Sequence, residues 1–193
     1  MRIGPLFVDE RVEKAVLECI AEHGVDQVDV GVVARHLGRA RSTLYLQHGD
    51  WQTLLLFTHE RALEGINTLF PSASGETRAE FEGWWSALNE FLRGPLGVGF
   101  LRLRTRLQLK DSLEVRELAQ LPAYLRWVGA RVSSLVPTPL AVARTVWLVA
   151  LSAAVHPAAM VDLRELAWSL IGSQPRRKIE LDDTRIEALG PLL

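Results

Sequence analysis

What this chain has little of narrows its function before any motif is read. A single cysteine, Cys19, excludes an internal disulfide framework and suits a reducing cytoplasm. Its place on the apolar face of the first predicted helix reads as a packing thiol. The longest apolar run, 145–155, falls short of the ~20 residues that span a bilayer. The opening MRIGPLFVDE has no apolar core of the secretory-leader kind, so neither a membrane span nor a leader is expected. A net charge of −1 gives no support to wholesale polyanion binding. The histidines His23, His36, His48, His59 and His156 are scattered, and His59-Glu60 begins an HExxx run with no second histidine at i+4. With no glycine-rich phosphate loop and no nucleophile elbow, no catalytic residue, cofactor or metal is expected, and the chain does not read as an enzyme.

What is present is local. Residues 31–49 carry no acidic side chain, and Arg35, Arg39 and Arg41 give the stretch a charge of +3. Residues 1–30 set three basic side chains against seven acidic ones, a charge of −4. A short basic, hydroxyl-bearing segment between two apolar-periodic ones is what a helix presented to DNA phosphates needs. Val12, Val16, Cys19 and Ile20 recur on one face of a helix that ends at Gly24. Asp29 is an N-cap for a second helix, with Val30, Val33, Ala34 and Leu37 inward and Gly38 at its end. A third helix, roughly 40–46, stops at Gly49, and Asp50 caps a long fourth. Two short helices joined by a tight glycine-containing turn form a helix-turn-helix, whose second helix enters the major groove.

The run 15–55 resembles the DNA-binding domain of the tetracycline-repressor (TetR) family, on AEHG at 21–24, A..LG at 34–38 and TLY at 43–45, continued by Gly49 and the paired Leu54 and Leu55. The resemblance implies an all-α chain of about nine helices. It implies a three-helix head at 1–49, joined by a long fourth helix to an effector-binding and dimerising body at 50–193, with DNA released when an effector binds. The chain departs from the family in four places. His48 stands where Phe is usual, Trp51 where Lys is usual, Ala40 where a capping Ser is usual, and Ser42 where Gly is common. Trp51 has no ionic contact to offer a phosphate, only one neutral indole N–H, so the phosphate contacts are expected to be redistributed.

The rest of the chain keeps the helical period. A fourth helix over about 50–69 turns Leu55, Ala62, Ile66 and Leu69 inward, and PSASG at 71–75 reads as a hinge. Thr77 and Glu80 have capping-box spacing for a helix with the apolar face Phe81, Trp84, Trp85, Leu88, Phe91 and Leu92, closed by Gly94 and Pro95. In 101–110 leucines alternate with Arg102, Arg104, Arg106 and Lys110, which is the period of a strand. A lone strand has nothing to pair with, so the segment is read as helix. Asp111 and Glu114 start a helix toward 136 that Pro122 breaks or bends. Two further helices are predicted at 140–155 and 158–171, and a short docked one at 184–189.

Three constellations carry function. Arg39, Arg41, Ser42, Thr43, Tyr45 and Gln47 bear donors. Arg39, Arg41 and Gln47 suit base edges, because arginine bridges guanine O6 and N7 and glutamine does the same on adenine. By the resemblance Thr43 and Tyr45 anchor phosphates; His48 completes the set, and Leu44 plugs the core of the head. The same arginines would also suit an ordinary solvated face. Trp84, Trp85, Leu88, Phe91, Phe100, Tyr124 and Trp127 suit either an apolar effector cavity or a plain core. Arg102, Arg104 and Arg106 suit an anionic effector or solvent. The last two helices are apolar around much of their circumference, and the family places its two-fold interface there, so Trp147, Leu148, Leu151, Val155, Leu163, Leu166 and Leu170 are the expected dimer contacts, against burial within one subunit. Together these give a cytoplasmic, homodimeric, one-component regulator, a repressor, that binds a palindromic operator in double-stranded DNA through 40–46 and is released by a small, largely apolar effector. The alternative is a helical dimeric protein-interaction module with a degenerate head, motivated by His48 and Trp51.

Overall fold

The computed structural model describes residues 10–69, 78–107, 113–129 and 139–172. Among them the chain is all helix: α1 Glu10–His23, α2 Val30–Leu37, α3 Arg41–His48, α4 Trp51–Asn67, α5 Arg78–Arg93, α6 Pro95–Leu107, α7 Leu113–Ala119, α8 Pro122–Gly129, α9 Pro139–Val155 and α10 Met160–Gly172, with 3-10 turns at Val25–Gln27 and Pro157–Ala159. The expected hinge at 71–75, the cap at Thr77, the residues 108–110 and the helix at 184–189 lie outside the described residues. The chain forms two compact units, one from the residues up to Ala62 and from Phe91 to Asp111, the other from the remainder.

The first unit is built on α1. Val12, Val16, Cys19 and Ile20 are buried together with Val30, Val33 and Ala34 of α2 and Leu44 of α3, as their periodicity predicts. Burial, followed by the nearby Glu22 and Glu18, pushes the Cys19 thiol up, which keeps it protonated. The surprise is α6, which packs on α1 backbone to backbone. A Cβ on Gly99 would stand 2.7 Å from the carbonyl carbon of Leu17, so only glycine fits. The alternation in 101–107 is therefore helical. Phe100, Leu103 and Leu107 are buried at i, i+3 and i+7, while Arg102 Nη1 donates to the Ile20 and Ala21 carbonyls at 3.2 and 2.8 Å. Those carbonyls lie in the last turn of α1, where a cation suits the helix dipole; the Ile20 oxygen also accepts the Gly24 N–H at 2.9 Å. Arg104 is buried, and Arg106 lies 3.6 Å from Asp26. Arg102 thus ties α6 to the end of α1, while Arg106 stays exposed beside an exposed Asp26.

The second unit is an aromatic cluster. Phe81 stacks on Trp127 at 6.0 Å and Trp84 on Tyr124 at 5.9 Å, with Trp85 and Trp168 tilted against Phe81. Offset and tilted pairs of this kind add stability beyond the area they bury. Polar tips are tied in. Tyr124 OH donates to the Ala143 carbonyl at 2.6 Å, and Trp147 Nε1 donates to Glu117 Oε2 at 3.2 Å. Pro122 divides α7 from α8, as the sequence predicts, and opens α8 at a position where its missing N–H costs nothing. Asn67 Oδ1 accepts the next N–H, that of Ala123, at 3.0 Å. On the surface Arg78 binds Glu82 and Glu165 and lies 5.7 Å from the Trp168 ring.

Candidate nucleic-acid interface

The α2–turn–α3 motif is fixed by its ends. Asp29 accepts the Val32 N–H at 2.8 Å and so caps α2. That bond, and then the Arg41 guanidinium, hold the Asp29 carboxyl below its ordinary range. Gly38 ends α2 at φ 64°, a left-handed conformation that costs glycine little, and its N–H returns to Arg35. Arg39 N–H bonds the Ala34 carbonyl at 2.8 Å, so the turn is closed on α2. Ala40 begins α3 with no side-chain cap, as expected from its lack of a hydroxyl. Asp50 Oδ1 accepts the Thr53 N–H at 2.7 Å and starts α4.

The register of α3 sorts the residues proposed from sequence. Leu44 and His48, one turn apart, are its buried pair. His48 is 2% exposed, so its ring is turned inward and is not available to a duplex. Arg41, Ser42, Tyr45 and Gln47 are exposed, and Arg39 and Thr43 are half-buried. Arg41 does not point freely outward. Its Nη2 lies 3.0 Å from Asp29 Oδ2, and the side chain crosses Gly31 so closely that a Cβ there would stand 2.7 Å from Nε. A cleft of about 410 Å³ runs along this edge, lined among others by Asp26, Asp29, Arg35, Arg39 and Arg41. Residue 46 was not among the sequence candidates, yet Leu46 is 85% exposed on the outer side of α3. Its position midway between buried 44 and 48 was the available signal.

The effector set divides. Trp84, Trp85, Tyr124 and Trp127 meet in the second unit, and Leu88 shares their buried face of α5. Phe91 and Phe100 belong to the first unit, where Phe100 stacks on His59 at 5.3 Å. The dimer set divides too. Trp147 and Leu151 are buried inside their own unit, which removes them from any surface a second copy meets. Leu148, Leu163 and Leu170 are half-buried, and Val155 and Leu166 are exposed. No helix among the described residues is long and apolar enough to cross a membrane.

No known sequence-family pattern and no curated protein matches the chain. Solved structures do. One, described as the molecular basis for control of antibiotic production by a bacterial hormone, is 19% identical with a TM-score of 0.57, over 89% of this chain and 99% of its own. Another, a TetR family transcription regulator from Marinobacter aquaeolei VT8, is also 19% identical with a TM-score of 0.57, over 93% of this chain and 89% of its own. The described residues have the all-helical fold of the TetR family of transcription regulators.

Proposed function

We propose that the protein is a homodimeric, one-component transcription repressor whose α3 enters the major groove of a palindromic operator and whose second unit takes a small, largely apolar effector. The observation that carries this is the closed α2–turn–α3 motif, with exposed Arg41, Ser42, Tyr45 and Gln47 on a segment free of acidic side chains. A two-fold operator fixes the separation of two recognition helices at about one turn, ~34 Å, so an effector that changes that separation by a few ångströms releases one head. The affinity difference between the two states is the switch.

One feature supports the effector half. Trp85 Nε1, a donor, and Asn89 Oδ1, an acceptor, are buried one turn apart on α5 without a hydrogen-bond partner among the described residues. Buried polar atoms are rarely left so, and a small molecule with one acceptor and one donor in an apolar frame suits them. The outward faces of α9 and α10 support the dimer. Val155, Val161 and Leu166 are exposed there.

The test is selection from a random duplex library, followed by titration of the winning duplex at several salt concentrations. A regulator gives a single enriched palindrome and an affinity that falls steeply as salt rises. A stable dimer with no DNA binding even at low salt selects the other reading, a protein-interaction module, which rests on Trp51.

A further inference from the structure

We infer that Leu46 reads thymine, its isobutyl group meeting the C5-methyl of a T in the major groove. The inference rests on the DNA-binding reading above and adds to it the base identity at one operator position. Its first support is exposure. At 85%, Leu46 is the most exposed large apolar side chain among the described residues. Its second is direction. At about 100° per residue, Leu46 stands about 160° round the helix from both Leu44 and His48. Those are the buried residues of α3. Leu46 is therefore the pole of the helix, opposite the packed side, and the pole of a helix laid in a groove goes deepest.

The third support is chemistry. Leu46 has exposed Ser42 one turn before it and exposed Tyr45 and Gln47 on either side. Nothing acidic lies between residues 31 and 49 to repel phosphates. The surroundings are suited to a polyanion, while the tip is apolar. In the major groove guanine, cytosine and adenine edges offer only donors and acceptors, and thymine alone adds a methyl group. A leucine against a G·C pair covers polar atoms and gives them no partner, which costs free energy. Against thymine it buries a methyl on a methyl. The pole of α3 therefore selects an A·T pair by packing, while Ser42, Tyr45 and Gln47 supply the hydrogen bonds around it.

The experiment replaces thymine by deoxyuracil, which removes the C5-methyl and leaves every hydrogen-bonding atom in place. The probe is the duplex enriched by the full-length protein from a random library, resynthesised with one deoxyuracil at a time. The wild type should lose about fourfold in affinity when the critical thymine of one half-site is changed, and about fifteenfold when its counterpart in the other half-site is changed as well. Leu46→Ala should bind the unmodified duplex more weakly by a similar factor, show no thymine-to-deoxyuracil difference at those positions, and enrich a library with the preference there relaxed. Because Leu46 is on the surface, the variant should melt with the wild type. If every single deoxyuracil is silent, or if Leu46→Ala keeps the wild-type sensitivity, the inference falls while the DNA reading stands. If the wild type enriches no sequence, both fall.

Discussion

Two stretches of surface expose large aliphatic side chains, in opposite company. On α3, Leu46 is an isolated apolar group among Ser42, Tyr45 and Gln47. Val155 is exposed at the end of α9, a helix with little competing polarity, and Val161 and Leu166 are exposed on α10 beside Asp162 and Glu165. Arg144 is the one charged residue in the 17 of α9. The exposed hydroxyls of Thr145, Ser152 and Ser169 already donate to carbonyls of their own helices, at 2.9, 2.8 and 2.7 Å. Hydroxyls satisfied in that way lose little when water leaves. On the proposed reading, the second surface dries against another copy and the first makes one small contact inside a polar groove. Exposure is the same signal in both places; the neighbours give it its meaning.

The sharpest way to break this comparison is to put charge on each surface in turn. Val155→Asp with Leu166→Asp should weaken self-association at least about 1,000-fold by sedimentation equilibrium. Each aliphatic side chain buried in a contact is worth roughly 1.5–3 kcal/mol, and a two-fold interface loses every one twice. Leu46→Asp should leave the oligomer intact and abolish DNA binding. A dimer that survives the first variant, or dissociates with the second, reverses the assignment of the two faces.

The next largest effect tests whether α3 sits on a rigid platform. Gly99→Val forces a branched side chain into the Leu17 carbonyl. A backbone that must move apart costs about 3 kcal/mol, and the melting temperature should drop by roughly 6–12 °C. DNA binding should weaken with it, while the α9–α10 contact, made from the other unit, should persist at temperatures below the melt. A variant as stable as the wild type would mean that α6 is not seated on α1.

Why some of this was legible in the sequence and some not follows from range. The caps of α2, Asp29 and Gly38, act within four residues of themselves, and both stand where local chemistry put them. Pro122 likewise divides α7 from α8 by its own ring. Arg102 could not be read that way, because its partners are carbonyls about eighty residues earlier, on α1. Without them 101–107 shows only alternation. His48 and Leu46 are told apart by register and not by residue type, because Leu44 and its i+4 neighbour define the inner side of α3. Trp147 misled because a helix apolar all round does not say which side belongs to its own core.

A smaller effect checks that the inner side of α9 is held by its own unit. Tyr124 OH, with its donation to Ala143 on α9, is wholly buried, and burial pushes its pKa well above the ordinary 10.0. The unfolded chain ionises first, so the stability this group contributes is complete below pH 10 and is lost as pH rises from there toward the folded value, at about 1.4 kcal/mol per pH unit. Tyr124→Phe should cost about 1 kcal/mol at neutral pH by removing one buried hydrogen bond, and should flatten the alkaline fall in a denaturant titration repeated across pH. An unchanged alkaline limb would show that the phenol is reached by solvent, and that the side of α9 it binds is open to a partner after all.

The smallest effect on stability bears most directly on the company Leu46 keeps. Gly31→Ala places a methyl where the Arg41 guanidinium lies, and the flexible end of the arginine is what yields, so its contact with Asp29 breaks. Replacing glycine inside α2 gains roughly 0.5–1 kcal/mol of helix free energy. The exposed ion pair gives up about 0–1 kcal/mol. The cap from Asp29 to Val32 is untouched. The melt should therefore barely move. DNA affinity is where the change should show: an arginine released from its acid can meet a phosphate, and one added contact steepens the fall of log affinity with log salt by ~0.9. Asp29→Asn frees the same arginine without the methyl and should steepen it equally. If both variants leave the salt slope alone, Arg41 belongs to the packing of α2 on α3, and the outer face of α3 is a narrower and less cationic setting in which a thymine methyl must carry more of the choice of site.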